Sequence, residues 1–278
     1  MNSSLYPCLW FDHQAEEAAD FYCSLFRNSK VLEKTQMVSR FELNGTKFMG
    51  LNGGSKYQVN SAVSYFVHCG SEVEIHRIYD ALSKGGSVLM PLKTYDWSPK
   101  YAWVIDRYGV NWQLDVEDIN SSQKIVPCLL FTNGKRDLVK NALAHYTGIF
   151  KNSRILMEAP YPPEIGLPEG TLLFAQIKLD GFILNAMSST MEHDFDFTPG
   201  NSLVVECETQ EEIDYYWTQL GKDGKFDRCG WLTDRFGVSW QIVPKILGKL
   251  MTDPSKSQKV MASLLTMQKI EIETLLNS

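Results

Sequence analysis

Several features are missing from this 278-residue chain, and each absence excludes a class of protein. No apolar run approaches the roughly 20 residues that a membrane-spanning helix requires. The segment from Met1 to Pro7 carries neither a basic leader with a long apolar core nor a small-residue processing site. A soluble cytoplasmic protein without a membrane partner is therefore expected. Dense basic runs are also missing. The formal charge is −6, with 14 acids and 12 bases through Lys124, then 19 acids and 15 bases after it. Neither half is a polycation suited to a phosphate backbone, so no nucleic-acid partner is expected. The cysteines at 8, 23, 69, 128, 207 and 229 stand singly, and no CxxC pair nominates a metal or redox centre. They read as small buried hydrophobes or isolated thiols. No GxGxG turn is present to cradle a nucleotide, and LNGG at 51–54 fits a hairpin or a fold-specific turn better. No Ser-His-Asp or Cys-His arrangement can be selected from spacing alone.

What the chain does contain is a repeat. PCLWF at 7–11 returns as PCLLF at 127–131, and FRNSKV at 26–31 as FKNSRI at 150–155. FELNG at 41–45 is echoed by IKLDG at 177–181, and DRYGVNWQL at 106–114 by DRFGVSWQI at 234–242. Recurrence in the same order argues for two copies of one architecture. It names no reaction. The nonapeptides also have a physical logic. Asp-Arg-aromatic-Gly forms a tight turn in which glycine can take a positive φ. The strand that follows puts Val110, Trp112 and Leu114 on one face, with Asn111, Gln113 and Asp115 on the other. Val238, Trp240 and Ile242 likewise oppose Ser239 and Gln241.

Each half divides again. Residues 14–26 read as a helix with Ala15, Ala18, Ala19, Tyr22, Leu25 and Phe26 on its apolar side. A strand near 61–69 leads into a helix at 72–82 that ends at Gly85-Gly86. The second half repeats this order, with helices expected at 138–150 and 208–220 and a strand at 202–207. The pattern predicts an α+β protein of four βαβββ modules, arranged as a first domain at 1–120 and a second at 121–245. A helical extension at 246–278 would close the second domain or form a dimer contact, with Met261 and Met267 filling a packing seam. The copies diverge in their loops. From Gly86 to Asp106 the chain is ten residues longer than from Gly224 to Asp234, and the longer stretch holds Tyr95, Trp97 and Tyr101. The second half has its own proline-rich connection at 158–170. Both read as surface loops, with a pocket cover or an interface as the alternative.

PCLWFDHQAEEAADFYCSLFRNSKV followed by FELNGTKFMGLNGG resembles the PhnB-like family, historically labelled as a 3-demethylubiquinone-9 3-methyltransferase domain. That family lies within the vicinal-oxygen-chelate (VOC), or glyoxalase/bleomycin-resistance/dioxygenase, superfamily. SLVVECETQEEIDYYWTQL, CGWLTDRFGVSWQIVP and QKVMASLLTMQKIEIETLL carry the same pattern, so the resemblance covers residues 5–274. It implies tandem glyoxalase/VOC domains, paired βαβββ modules around cupped sheets, and a homodimer. Members with chemistry hold a divalent ion on cup-facing His and Glu.

In this chain the resemblance implies Pro7 and Pro127 at the early-strand histidine positions, and Gln113 and Gln241 at the final-strand glutamate positions. Ser64 and Ser202 stand at another pair, with Leu51 and Asn185 between. A neutral amide lacks the charge that makes a carboxylate a hard-metal ligand. The acidic stretch around His193 reads as a solvated loop. No metal and no cofactor are expected, and S-adenosylmethionine-dependent methyl transfer has no supporting residues. The expected activity is binding or sequestration of a small hydrophobic or mixed-polarity molecule. Its candidate residues are Pro7, Leu9, Asn111, Gln113, Pro127, Leu129, Asn185, Glu206, Ser239 and Gln241, where glutamine orients a ligand without activating it. The alternatives are an atypical VOC enzyme with a displaced site, for which Glu206 and Glu208 beside Cys207 offer weak chemistry, and a structural assembly protein.

Overall fold

The computed structural model describes residues 4–117 and 121–278. The chain forms four βαβββ modules. The first comprises β1 (Leu5–Phe11), α1 (Ala15–Leu25), β2 (Lys30–Lys34), β3 (Val38–Leu43) and β4 (Thr46–Asn52). The second has β5 (Val63–Cys69), α2 (Glu72–Ser83), β6 (Ser87–Tyr95), β7 (Ser98–Ile105) and β8 (Asn111–Val116). The third has β9 (Ile125–Phe131), α3 (Val139–Ile149), β10 (Arg154–Pro160), β11 (Leu172–Leu179) and β12 (Phe182–Ser188). The fourth has β13 (Asn201–Cys207), α4 (Gln210–Gly221), β14 (Lys225–Phe226), β15 (Trp231–Thr233) and β16 (Ser239–Pro244). Helices α5 (Ile246–Thr252), α6 (Ser257–Thr266) and α7 (Ile272–Leu276) follow.

Two compact units emerge. The larger is Pro7–Asn201; the smaller joins the N-terminal residues through Tyr6 to Ser202–Ser278. Within the larger unit, modules two and three build an eight-stranded sheet in the order β10-β11-β12-β9-β5-β8-β7-β6. The central β5 and β9 come from opposite sides of the domain boundary expected at residue 120, which itself lies outside the described residues. The remaining strands of this unit run β1-β4-β3-β2. The smaller unit carries β14-β15-β16-β13, and Glu206 N–H donates to Ser4 O at 2.8 Å where β1 begins.

Local chemistry explains the elements. Ser71 caps α2 by accepting from Glu74 N–H, while Glu74 accepts from Gly70 N–H. Thr209, Glu212 and Glu208 repeat that reciprocal cap on α4. Each nonapeptide turn is pinned by its aspartate. Asp106 accepts from Tyr108 N–H, Val110 N–H and Trp112 Nε1–H; Asp234 accepts from Phe236 N–H, Val238 N–H and Trp240 Nε1–H. Gly109 and Gly237 take φ of +85° and +94°, which a side chain would resist. Burial pushes the Asp106 carboxyl up, against hydrogen bonds from Tyr22 and Trp112. Trp112 packs between Tyr22, Phe26 and Tyr65, forming the aromatic core beneath α1.

The long stretch from Gly86 to Asp106 is not an irregular loop. It is the bulged hairpin β6–β7, drawn together by Tyr95 stacked on Trp97 and by both rings meeting Tyr101 edge-on. In the smaller unit the corresponding hairpin is two residues on β14 and three on β15. There the tail takes over: Cys229 N–H donates to Met267 O and Gly230 N–H to Gln268 O. The extension therefore closes the last module.

Candidate functional site

Residues opposite one another in a ladder share a face, so the register identifies which side chains converge. In the larger unit Ser64 lies opposite both Asn111 and Cys128, Cys128 opposite Asn185, and Asn185 opposite Gln176. Gln113 lies opposite Phe66 and Trp103. Asn111, Gln113 and Asn185 are thus gathered on one polar face. Their bonds are local and nearly complete. Gln113 Nε2 donates to Ser64 Oγ at 2.7 Å, and its Oε1 accepts from the Tyr101 hydroxyl. Trp103 Nε1 and Ser61 Oγ both donate to Asn111 Oδ1, while Asn111 Nδ2 donates to Gly109 O. Gln176 Nε2 donates to Asn185 Oδ1 at 2.9 Å. Burial pushes the Tyr101 phenol and the Cys128 thiol up, so both stay protonated on this face.

The smaller unit has an equivalent face. Ser202 lies opposite Ser239, Val204 opposite Gln241, and Glu206 opposite Val243; Trp231 and Thr233 face Gln241 and Ser239 from the other side. Gln241 Nε2 donates to Ser202 Oγ at 3.0 Å, repeating the Gln113–Ser64 contact. Glu206 accepts from the Tyr6 hydroxyl. The resemblance ends there. Ser239 is 1% exposed, yet its Oγ has no hydrogen-bond partner. Among the described residues no donor reaches Gln241 Oε1 either.

The four apolar residues expected in the cups lie elsewhere. Pro127 and Leu129 stand opposite Tyr65 and Val63, on the side where Tyr65 meets Trp112. Leu9 stands opposite Gly50, whose missing Cβ would fall 3.2 Å from Ala15 of α1, and alternation puts Pro7 on that same helix-facing side. The polar face instead receives Cys128 from the PCLLF segment. Strand phase is the reason: an error of one residue moves a side chain to the opposite face. Tyr101, Ser64, Ser202 and Trp103 were not among the expected site residues. The resemblance implied Ser64 and Ser202 as ligand positions, whereas the reach of Tyr101 depends on a hairpin whose bulges break the strand period.

The donor set does not suit a metal. The positions implied as ligands hold Gln113, Gln241, Ser64 and Ser202, all neutral, and no group of three His, Cys, Asp or Glu side chains is placed to hold an ion among the described residues. His193 bonds Ser189, and Asp196 pairs with Lys135. LNGG also has a packing role: a Cβ on Gly53 would collide with the Trp10 ring, and Trp10 Nε1 donates to Gly54 O. Among the described residues no helix is long and apolar enough to cross a membrane.

Comparison with known proteins gives a consistent picture. A family model described as 3-demethylubiquinone-9 3-methyltransferase matches residues 3–115 and again 123–243. A solved structure described as a putative 3-demethylubiquinone-9 3-methyltransferase, PhnB protein, from Bacillus cereus is 34% identical. It covers 40% of this chain and 98% of its own, with a TM-score of 0.39. Glyoxalase I from Zea mays is 10% identical, covering 90% of this chain and 95% of its own at a TM-score of 0.58. A putative dioxygenase from Bacillus subtilis is 12% identical, covering 94% and 89% at 0.51. These last two show a shared fold. No curated protein sequence matches significantly.

Proposed function

Given that the chain belongs to the 3-demethylubiquinone-9 3-methyltransferase (PhnB-like) family of the VOC superfamily and holds two copies of its domain, we propose that it binds or sequesters a small molecule without a metal. The supporting observation is the unused hydrogen-bonding capacity of the Gln241 face. A buried Ser239 Oγ costs stability when left unmet, and a ligand of mixed polarity would meet it together with the Gln241 amide oxygen. Gln113 and Gln241 orient by hydrogen bonding and cannot supply a charged metal ligand or a proton-transferring base near neutral pH. The donor set therefore favours binding over the metal chemistry of the superfamily.

The test is a thermal-shift screen of small polar-aromatic and aliphatic compounds on the intact protein and on Gln241→Leu. Binding that raises the wild-type Tm and is lost in Gln241→Leu is the expected result. A chain that binds nothing in a Gln241-dependent way, or that purifies with about one tightly held metal per copy, would overturn the reading. A homodimer also belongs to this reading. Edge strand β10 exposes Ile155, Leu156 and Met157 beside an unpaired backbone edge, which favours strand addition. Leu156→Lys is expected to convert a dimer into a monomer in light scattering after size exclusion.

A further inference from the structure

The two copies of the repeat differ in what meets the amide oxygen of the matched glutamine. On the Gln113 face the amide oxygen is occupied by the phenol of Tyr101, whose ring is held edge-on by Tyr95 and Trp97. Aligning DRYGVNWQL with DRFGVSWQI puts Gln113 on Gln241, Trp103 on Trp231 and Tyr101 on Cys229. Cys229 cannot substitute for the phenol. Its backbone is left-handed at φ +60°, and its Sγ donates to Leu264 O in the tail. The short hairpin of the smaller unit also lacks any counterpart of the Tyr95–Trp97 pair. That face holds Gln241 with a free amide oxygen, Trp231 and Val204 directly opposite it on either side, the unpartnered Ser239 Oγ, and Glu206 bonded by the buried Tyr6 hydroxyl.

From this internal comparison we infer that the Gln241 face takes a phenolic ligand, whose ring hydroxyl replaces the one Tyr101 supplies to Gln113. The inference rests on the small-molecule-binding reading above and adds the ligand class. It involves no methyl transfer and no other covalent step. A phenolic hydroxyl both donates and accepts, so it satisfies the free end of the amide in either orientation of Gln241. The ring gains apolar contact with Trp231 and Val204, which a purely polar ligand would forfeit. The Gln113 face, by contrast, is already filled by a residue of its own chain.

The direct probe is p-cresol, the side chain of tyrosine as a free molecule, with toluene as the match that lacks the hydroxyl. Calorimetry on the full chain is expected to show a single p-cresol bound, with toluene weaker by roughly tenfold or more, the value of one neutral hydrogen bond to a buried partner. Gln241→Leu should abolish that preference, and Gln241→Met serves if the leucine variant fails to fold. Tyr101→Ala removes the resident phenol and should create a second p-cresol site, whose occupancy restores part of the lost Tm. Equal affinity for p-cresol and toluene, or p-cresol binding unchanged in both Gln241 variants, would overturn the phenol assignment. If a non-phenolic compound binds in a Gln241-dependent way while p-cresol does not, the ligand class is overturned and small-molecule binding stands. If nothing binds through Gln241, both readings are overturned.

Discussion

The Gln113 and Gln241 faces began as the same design and now differ in how completely they satisfy themselves. Both place a glutamine on the last strand of a module and hold its amide nitrogen with a serine from the module's first strand, Ser64 or Ser202. On the Gln113 face, a tyrosine from the long hairpin takes the remaining oxygen, and Asn111 is bonded by Trp103 and Ser61. On the Gln241 face the hairpin is short, the tyrosine position is Cys229, and Ser239 stands without a partner. Internal closure on one face and unmet bonding capacity on the other thus come from one scaffold by changing a hairpin. Buried polar groups need partners, and Ser239 Oγ is left without one.

The shared core gives the largest expected effect. Trp112→Ala and Trp240→Ala each remove a fully buried indole and its bond to an aspartate, so each should lose about 3–5 kcal/mol in urea unfolding. A large loss in one and a small loss in the other would break the equivalence of the two turns. Next come Gly86 and Gly224, where an added Cβ would lie 2.0 and 2.1 Å from the carbonyl oxygens of Ile105 and Thr233. Alanine at either should cost about 1–3 kcal/mol through forced backbone movement, read by the same unfolding curves.

The faces themselves should separate in a third measurement. Gln113→Leu strands both the Tyr101 hydroxyl and Ser64 Oγ, whereas Gln241→Leu strands Ser202 alone. With each buried polar orphan costing about 1–3 kcal/mol, the Gln113 variant should be the less stable. Equal losses would show that the Tyr101 bond contributes nothing. The smallest effect concerns His68, on the Gln113 face opposite Asp115, at the position where the other face has Glu206. Burial lowers the His68 pKa, opposed by Glu117 and Asp115, with Lys124 lowering it further. The unfolded chain therefore binds more protons just below the ordinary histidine pKa of about 6.5. Stability from this group is complete above that pH, declines as pH falls, and levels off below the folded pKa. Tm measured from pH 7.5 to 5 should fall less steeply in His68→Leu than in the parent; identical slopes would remove His68 from the account.

Much of this was legible before any coordinates. The nonapeptide turns and the alternation that separates Trp112 from Gln113 follow from local sterics and period. Local rules also sufficed to place glutamine on the polar face in both copies. They did not suffice for the PCLWF and PCLLF strands. Both faces of those strands are apolar or small, so no alternation shows that Leu9, Pro127 and Leu129 turn toward the helices. The Tyr95–Trp97–Tyr101 hairpin was obscured for a related reason: its bulges break the period, and its order comes from ring–ring packing.

The sequence alone determined that four βαβββ modules would form, and that a glutamine would stand on the polar face of the last strand in both copies of the nonapeptide. Periodicity, turn residues and the repeat carry that information within a few dozen residues. Only the tertiary structure decided which side chain meets which amide. A phenol that reaches Gln113 from twelve residues away, and a cysteine turned toward the tail at the matching place, depend on strand register and on hairpin length. Those are set by packing across the sheet, which no local pattern encodes.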